Sequence, residues 1–139
     1  MKTIIFAFAL LLLAACAGQD EQEQLSSQDI DQAVRDFIEV RNLESVSSMT
    51  SGNSDGWKEL SETFIVYEGR RDEYLVEFAR RCYELRDNTR ITPDRRWDKN
   101  TIRAKFDTIR GCRIAAVYAL DETEATELKN IGEAPGTRN

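Results

Sequence analysis

The chain has 139 residues, with 25 Asp and Glu against 19 Lys and Arg, a net charge of −6 and no histidine. That length suits one domain with a single core, and the acidity argues against nucleic acid or anionic lipid as the main partner. Without histidine there is no Ser-His-Asp or Cys-His arrangement, and the commonest general base and metal ligand are missing.

The first segment is an address. Lys2 supplies a positive charge, Ile4 to Ala15 is apolar, and Leu13-Ala14-Ala15-Cys16 closes the segment with small residues before a cysteine. Twelve apolar residues fall short of the roughly 20 that span a bilayer, so the pattern is that of a cleaved secretory signal. The Leu-Ala-Ala-Cys ending resembles a bacterial lipobox, which implies cleavage before Cys16 and lipidation of its thiol and new amino group. An aspartate after the cysteine would resemble an inner-membrane retention signal. Ala17 stands there instead, so the expected location is the outer membrane of a Gram-negative cell, lipid-anchored and facing the periplasm. Removal of residues 1–15 leaves 124 residues with 18 basic and 25 acidic side chains, a net −7.

Residues 16–27 are the lipidated cysteine and a polar tether. Ala17–Ser27 is rich in Gln and Glu and lacks periodicity. The globular domain is expected over residues 28–132, with 133–139 a loose tail. Ser26 or Ser27 caps a helix, with Asp29 in the capping-box position. Ile30, Ala33, Val34, Phe37 and Ile38 then make an apolar stripe as far as about Leu43. Ser45–Thr50 is a weak strand and Ser51–Gly56 is turn chemistry. Asn53, Asp55, Gly56 and Glu62 fall at positions 3, 5, 6 and 12 of an EF-hand loop that would begin at Ser51. Ser51 replaces the required aspartate, and Lys58 stands at an apolar position. The segment after the loop has strand rather than helix character, so no calcium is expected.

Trp57 and Leu60 bracket a short segment. Thr63–Tyr67 and Tyr74–Ala79 form a hairpin across Gly69-Arg70-Arg71-Asp72. Cys82–Leu85 suits one helical turn, Ile91-Thr92-Pro93 is extended, and Asp94–Asn100 is a charged loop. Thr101–Phe106 alternates, with Ile102, Ala104 and Phe106 on one face. The strongest strand is Cys112–Leu120. Strict alternation puts Cys112, Ile114, Ala116, Tyr118 and Leu120 on one face and Ala115, Val117 and Ala119 on the other, which makes it central. Asp121 and Glu124 make a second capping box, Ala125, Leu128 and Ile131 the helix stripe, and Gly132 its stop. The expected fold class is α+β: an N-terminal helix, an antiparallel sheet of about five strands, and a C-terminal helix packed on one face.

Cys82 and Cys112 remain as one pair in an oxidising compartment, and the expected outcome is a structural disulfide. A redox or metal pair is the alternative, although no Cys-x-x-Cys is present. Charge is uneven: residues 19–67 hold three basic and eleven acidic side chains, residues 68–113 thirteen and nine. The acidic first helix and the basic stretch either attract one another or are solvated faces, or the basic stretch is an anion site built from Arg70, Arg71, Arg80, Arg81, Arg95 and Arg96, whose forks grip carboxylate or phosphate.

Trp57 with Leu60, Tyr74-Leu75, Cys82 with Leu85, Phe106-Asp107-x-Ile109, Cys112-Arg113-Ile114 with Tyr118, and Glu127-Leu128 together resemble a proteobacterial lipoprotein family of unknown function, domain-of-unknown-function family 6491. The resemblance covers residues 28–132. It implies a paired cysteine and an envelope location, and no activity. The functional expectation is therefore a non-catalytic interaction or binding module of the envelope, with no cofactor, metal or assignable catalytic residue. Its expected partners are the membrane, through the anchor, and an envelope protein or cell-wall component. The alternatives are a carboxylate-dependent hydrolase of envelope polymers, drawing on Asp72, Glu73, Asp94, Asp98 or Asp107, and arginine-based capture of an anionic ligand.

Overall fold

The computed structural model describes residues 25–52, 56–69, 71–85, 93–94 and 100–131. Helix α1 (Ser27–Arg41) starts where the capping chemistry places it: the Ser26 side chain accepts from the Asp29 N–H, and the Asp29 carboxylate accepts from the Ser26 N–H. Asn42 ends the helix in the left-handed region, its N–H donating to the Glu39 and Ile38 carbonyls. Asparagine bears that conformation better than most residues.

Among the described residues eight strands come after it: β1 (Ser48–Thr50), β2 (Gly56–Glu59), β3 (Phe64–Glu68), β4 (Glu73–Phe78), β5 (Pro93–Asp94), β6 (Thr101–Arg103), β7 (Thr108–Ile109) and β8 (Cys112–Leu120). Helix α2 (Glu122–Lys129) closes the described chain, with the Asp121–Glu124 capping box in place. The fold is α+β. The antiparallel sheet runs β2-β3-β4-β8-β7, with the two-residue β5 at its edge, and β1 pairs with β6 alone. The β1–β6 ladder is also tied to the rest of the sheet. Val46 N–H donates to the Val117 carbonyl at 2.8 Å, and Lys105 N–H to the Ile114 carbonyl at 2.9 Å. These bonds curl the sheet around its inner face.

Two cores result, one on each side of the sheet. Strand alternation distributes residues between them. Phe64, Val66 and Leu75 face the helices, where they meet Val34, Leu60 and Leu128, with Ile30, Phe37, Ile38 and Ile131 packed around. Ile65, Tyr67, Tyr74, Val76 and Phe78 fill the inside of the curl with Met49, Ile102 and Ile109.

Strict alternation fails in β8. Glu77 pairs with Ala116 and Phe78 with Ile114, so Ala115 has no partner opposite it. That extra residue is a β-bulge, which inverts the phase of the strand. Cys112 and Ile114 therefore share the inner core with Val117, whereas Tyr118 and Leu120 join the helix side. The expectation for Phe106 is also corrected. The strand stops at Arg103, residues 104–106 turn, and Phe106 is 76% exposed instead of facing inward with Ile102. Lys105 ends the pattern by taking φ 70°, outside any strand.

The segment Cys82–Leu85 contains a 3-10 turn at Tyr83–Leu85. Cys82 and Cys112 form a disulfide with Cα atoms 5.8 Å apart, and both are fully buried. It joins the chain just past β4 to the first residue of β8. Closing a loop of this length stabilises the fold by roughly 3–4 kcal/mol through lost denatured-state entropy. The Cys82→Ser/Cys112→Ser double variant should lose about that much in urea unfolding. Thiol titration of the unfolded, unreduced wild type should find neither of these two cysteines free, and finding both would overturn the assignment.

Candidate functional site

The sheet has two chemically different ends. At one, the β2–β3 turn carries three buried polar residues, Ser61, Glu62 and Thr63. The Asp31 carboxylate of α1 accepts from the Ser61 hydroxyl and, at 2.9 Å, from the Thr63 hydroxyl. The Ser61 hydroxyl oxygen also accepts from the Thr63 and Phe64 N–H groups. This network pins the start of α1 to the sheet and satisfies the polar atoms it buries. Asp107 is likewise structural: it is 3% exposed and accepts from the Arg103 N–H at 2.7 Å, holding the turn that leads to β7.

Arg80 and Arg81 lie at this end and are partnered. Arg80 bonds Glu84 at 2.8 Å, and Arg81 sits 3.8 Å from Glu62. Arg80 holds the Glu84 carboxyl below the usual carboxylate range. One Glu84 oxygen lies 3.2 Å from the Cys112 sulfur. A disulfide sulfur carries no hydrogen to donate, so this is a contact and not a hydrogen bond. Cys82, Glu84 and Cys112 do bring their ligand atoms within 4.8 Å of one another. The disulfide uses both sulfurs, however, and leaves a single carboxylate oxygen donor.

At the opposite end the β3–β4 hairpin turns through Gly69 and Asp72. Gly69 N–H donates to the Asp72 carbonyl, and a Cβ on Gly69 would stand 2.7 Å from that oxygen, so the turn requires glycine. Two clefts meet here, of about 370 and 480 Å³, and both are lined by Gly69 and Arg71. The first continues along Thr50, Ser51 and Gly52 to Asn100. The second runs between Glu73 and α2, past Glu122 and Thr126 to Lys129. Arg71 is exposed and, among the described residues, pairs with no carboxylate. Lys129 is fully engaged. Its ammonium lies 2.7 Å from both Glu68 and Glu73, and its carbonyl accepts from the Lys58 ammonium at 2.6 Å.

The six arginines of the basic stretch are thus separated. Arg71 stands at the hairpin end and Arg80 and Arg81 at the disulfide end of the same strand, β4. Arg70, Arg95 and Arg96 lie outside the described residues, as does Cys16 with the whole of 1–24. Of the candidate acids, Asp72 lines the first cleft, Glu73 is bonded to Lys129, Asp94 belongs to β5 and Asp98 lies outside the described residues. After the EF-hand segment, β3 (Phe64–Glu68) occupies the place where the motif needs its second helix. Nothing in the sequence marks Thr50–Gly52 or Asn100 as neighbours of Arg71. The β1–β6 ladder carries them there, through Ser51 N–H to the Asn100 carbonyl and the Tyr67 hydroxyl to that of Ser51.

Burial alone would lower the Lys129 pKa, but hydrogen bonds and charge from Glu68 and Glu73 outweigh it and raise the value above 10.5. A raised folded-state pKa contributes stability that is complete below the unfolded value and is lost as pH rises through the folded one. Unfolding free energy should therefore decline above about pH 10.5 in wild type. Lys129→Met should flatten that decline and cost about 1 kcal/mol at neutral pH, measured by urea denaturation at a series of pH values.

A family described as "Family of unknown function (DUF6491)" matches this chain over residues 1–132. The chain belongs to that family. Comparison with curated proteins and with solved structures finds no match.

Proposed function

We propose that this member of the family of unknown function is a non-catalytic binding module of the bacterial envelope, held on the periplasmic face of the outer membrane by lipid on Cys16. Its cleft beside Arg71 receives an anionic group of an envelope partner. The observation that carries this reading is Arg71 itself. It is an exposed guanidinium with no carboxylate partner among the described residues, placed where two clefts join. A free guanidinium presents a planar fork that matches carboxylate or phosphate in two bonds. A cleft of about 370 Å³ is at the lower end of the range that holds small ligands or a peptide terminus.

Catalysis is the weaker reading: Asp72, the acid that lines the first cleft, is exposed to solvent. Glu73 is bonded to Lys129, and the chain has no histidine to serve as base. The buried acids elsewhere, Glu62 and Asp107, are engaged by Arg81 and by the Arg103 backbone. The Leu13-Ala14-Ala15-Cys16 ending supports the anchor, and two or more acyl chains give stable attachment where one does not.

Two measurements test the reading. Cys16→Ser should move the protein from the membrane fraction to the soluble fraction and abolish incorporation of labelled palmitate. A variant still carrying label would sink the anchor. For the cleft, inorganic phosphate and a short peptide with a free C-terminal carboxylate are the probes, monitored by NMR shifts at Thr50–Gly52 and Gly69–Asp72. Arg71→Ala should weaken the response about 10- to 100-fold, the equivalent of a hydrogen bond to a charged group. Arg71→Lys should restore it in part, and Arg80→Ala should leave it unchanged. Equal binding by Arg71→Ala and wild type would remove the cleft from consideration.

A further inference from the structure

The end of the sheet opposite the Arg71 cleft has a surface unlike the rest of this acidic chain. Several bonds fix what lies there. Asp31 places the start of α1 at the β2–β3 turn, and Cys82 N–H donates to the Glu62 carbonyl at 2.7 Å in that same turn. The disulfide brings in Cys112, β7 pairs beside it, and Lys105 N–H reaches Ile114. Leu25, where the described chain begins, is therefore at the same end as Tyr83, Phe106, Lys105 and Arg113.

Three of the large apolar side chains that stand exposed among the described residues are at this end: Leu25, Tyr83 at 52% and Phe106 at 76%. Five acids described at this end are engaged. Glu84 bonds Arg80, Glu62 faces Arg81, Asp107 faces Arg103, Asp29 caps α1, and Asp31 holds the Ser61 and Thr63 hydroxyls. Lys105 and Arg113 are exposed and have no carboxylate partner among the described residues. Lys105 also takes φ 70°, where only glycine is unstrained. A cation stands there against the preference of the backbone, with Phe106 next to it. Phe106 and Lys105 further border a cleft of about 400 Å³ that includes Val46, Ala104 and Ala115.

We propose that this end is an interfacial foot that docks on anionic phospholipid headgroups, with Phe106 entering the interface and Lys105 and Arg113 meeting the phosphates. Charge complementarity favours a lipid surface, and so does the path of the chain. From Cys16 to Leu25 the backbone spans at most about 32 Å, so lipid on Cys16 would hold Leu25, at this end, within that distance of the headgroups. The overall negative charge does not forbid contact. At physiological ionic strength charges are screened beyond about 8 Å, so the two cations near Phe106 that lack a carboxylate partner among the described residues, Lys105 and Arg113, govern what that side chain meets. The surface is defined by the fold alone; only its delivery to the membrane rests on the lipid-anchor reading.

The test is amide hydrogen exchange on the whole protein mixed with excess phosphatidylcholine vesicles, with and without phosphatidylglycerol. The proposal expects slowed exchange at residues 104–107 and 110–113 only with phosphatidylglycerol, reversed by high salt. Lys105→Gly with Arg113→Gln should lower the affinity for these vesicles about 10- to 30-fold, since each cation near an anionic surface contributes about fivefold. Glycine accepts the backbone of residue 105, so this variant should keep its unfolding midpoint. Phe106→Ser should weaken the same protection. Equal exchange in both kinds of vesicle, or protection unaffected by the cation variant, overturns the foot. Flotation of the protein with either vesicle reports separately on the Cys16 anchor, so the two readings fail by different results.

Discussion

Strand β8 supplies side chains to two cores, and the rest of the fold depends on how it divides them. A regular strand would have sent Val117 to one side and Cys112 and Ile114 to the other. The unpaired Ala115 inverts the phase between them. Cys112, Ile114 and Val117 then line the inside of the curl, while Tyr118 and Leu120 turn to the helices. A bulge also bends its strand. Bending lets the far edge of β8 receive Val46 and Lys105 from the β1–β6 ladder, which closes the inner core. Helix–sheet packing and sheet closure thus both depend on one inserted residue.

The closure gives the domain its polarity. With β1 carried across the inner face, its last residues arrive beside the β3–β4 hairpin, and the Arg71 cleft forms where they meet. The disulfide stabilises the opposite end, joining the exit of β4 to the entry of β8. The start of α1 is held there by Asp31 acting on two hydroxyls. A chain tethered through residues before α1 would present its disulfide end to the anchoring surface and its Arg71 cleft away from it. Attachment and recognition would then not compete for the same face.

Arginine density in the sequence is a poor guide to where anions can bind, because the pairing of each guanidinium decides its availability. Arg80 and Arg81 are adjacent in sequence, yet the fold supplies each with a carboxylate, Glu84 and Glu62. Arg71, at the other end of the same strand, stands without one among the described residues. Exposed ion pairs contribute little to stability, but they do use up the charge that a ligand would need.

Capping chemistry and periodicity were legible because they act over three or four residues. Ser26 with Asp29, Asp121 with Glu124, and the apolar stripes of both helices stand in the structure where the sequence places them. Family membership and the pairing of Cys82 with Cys112 were legible for a different reason: motif order and cysteine arithmetic need no coordinates. The bulge at Ala115, the exposure of Phe106 and the meeting of Thr50, Arg71 and Asn100 were not. A bulge is set by the register of the neighbouring strand, and nothing within Cys112–Leu120 distinguishes Ala115 from Ala116. Phe106 continues an alternation that the left-handed turn at Lys105 ends, and that turn is held by Asp107 and Ile114 from outside the segment. The sequence by itself determined where the two helices and the long strands β3, β4 and β8 form and which cysteines pair, but not the short strands β5, at Pro93–Asp94 in an expected loop, and β7. Tertiary structure alone decided which side chains meet, because long-range closure of the sheet brings together residues with no local signal in common.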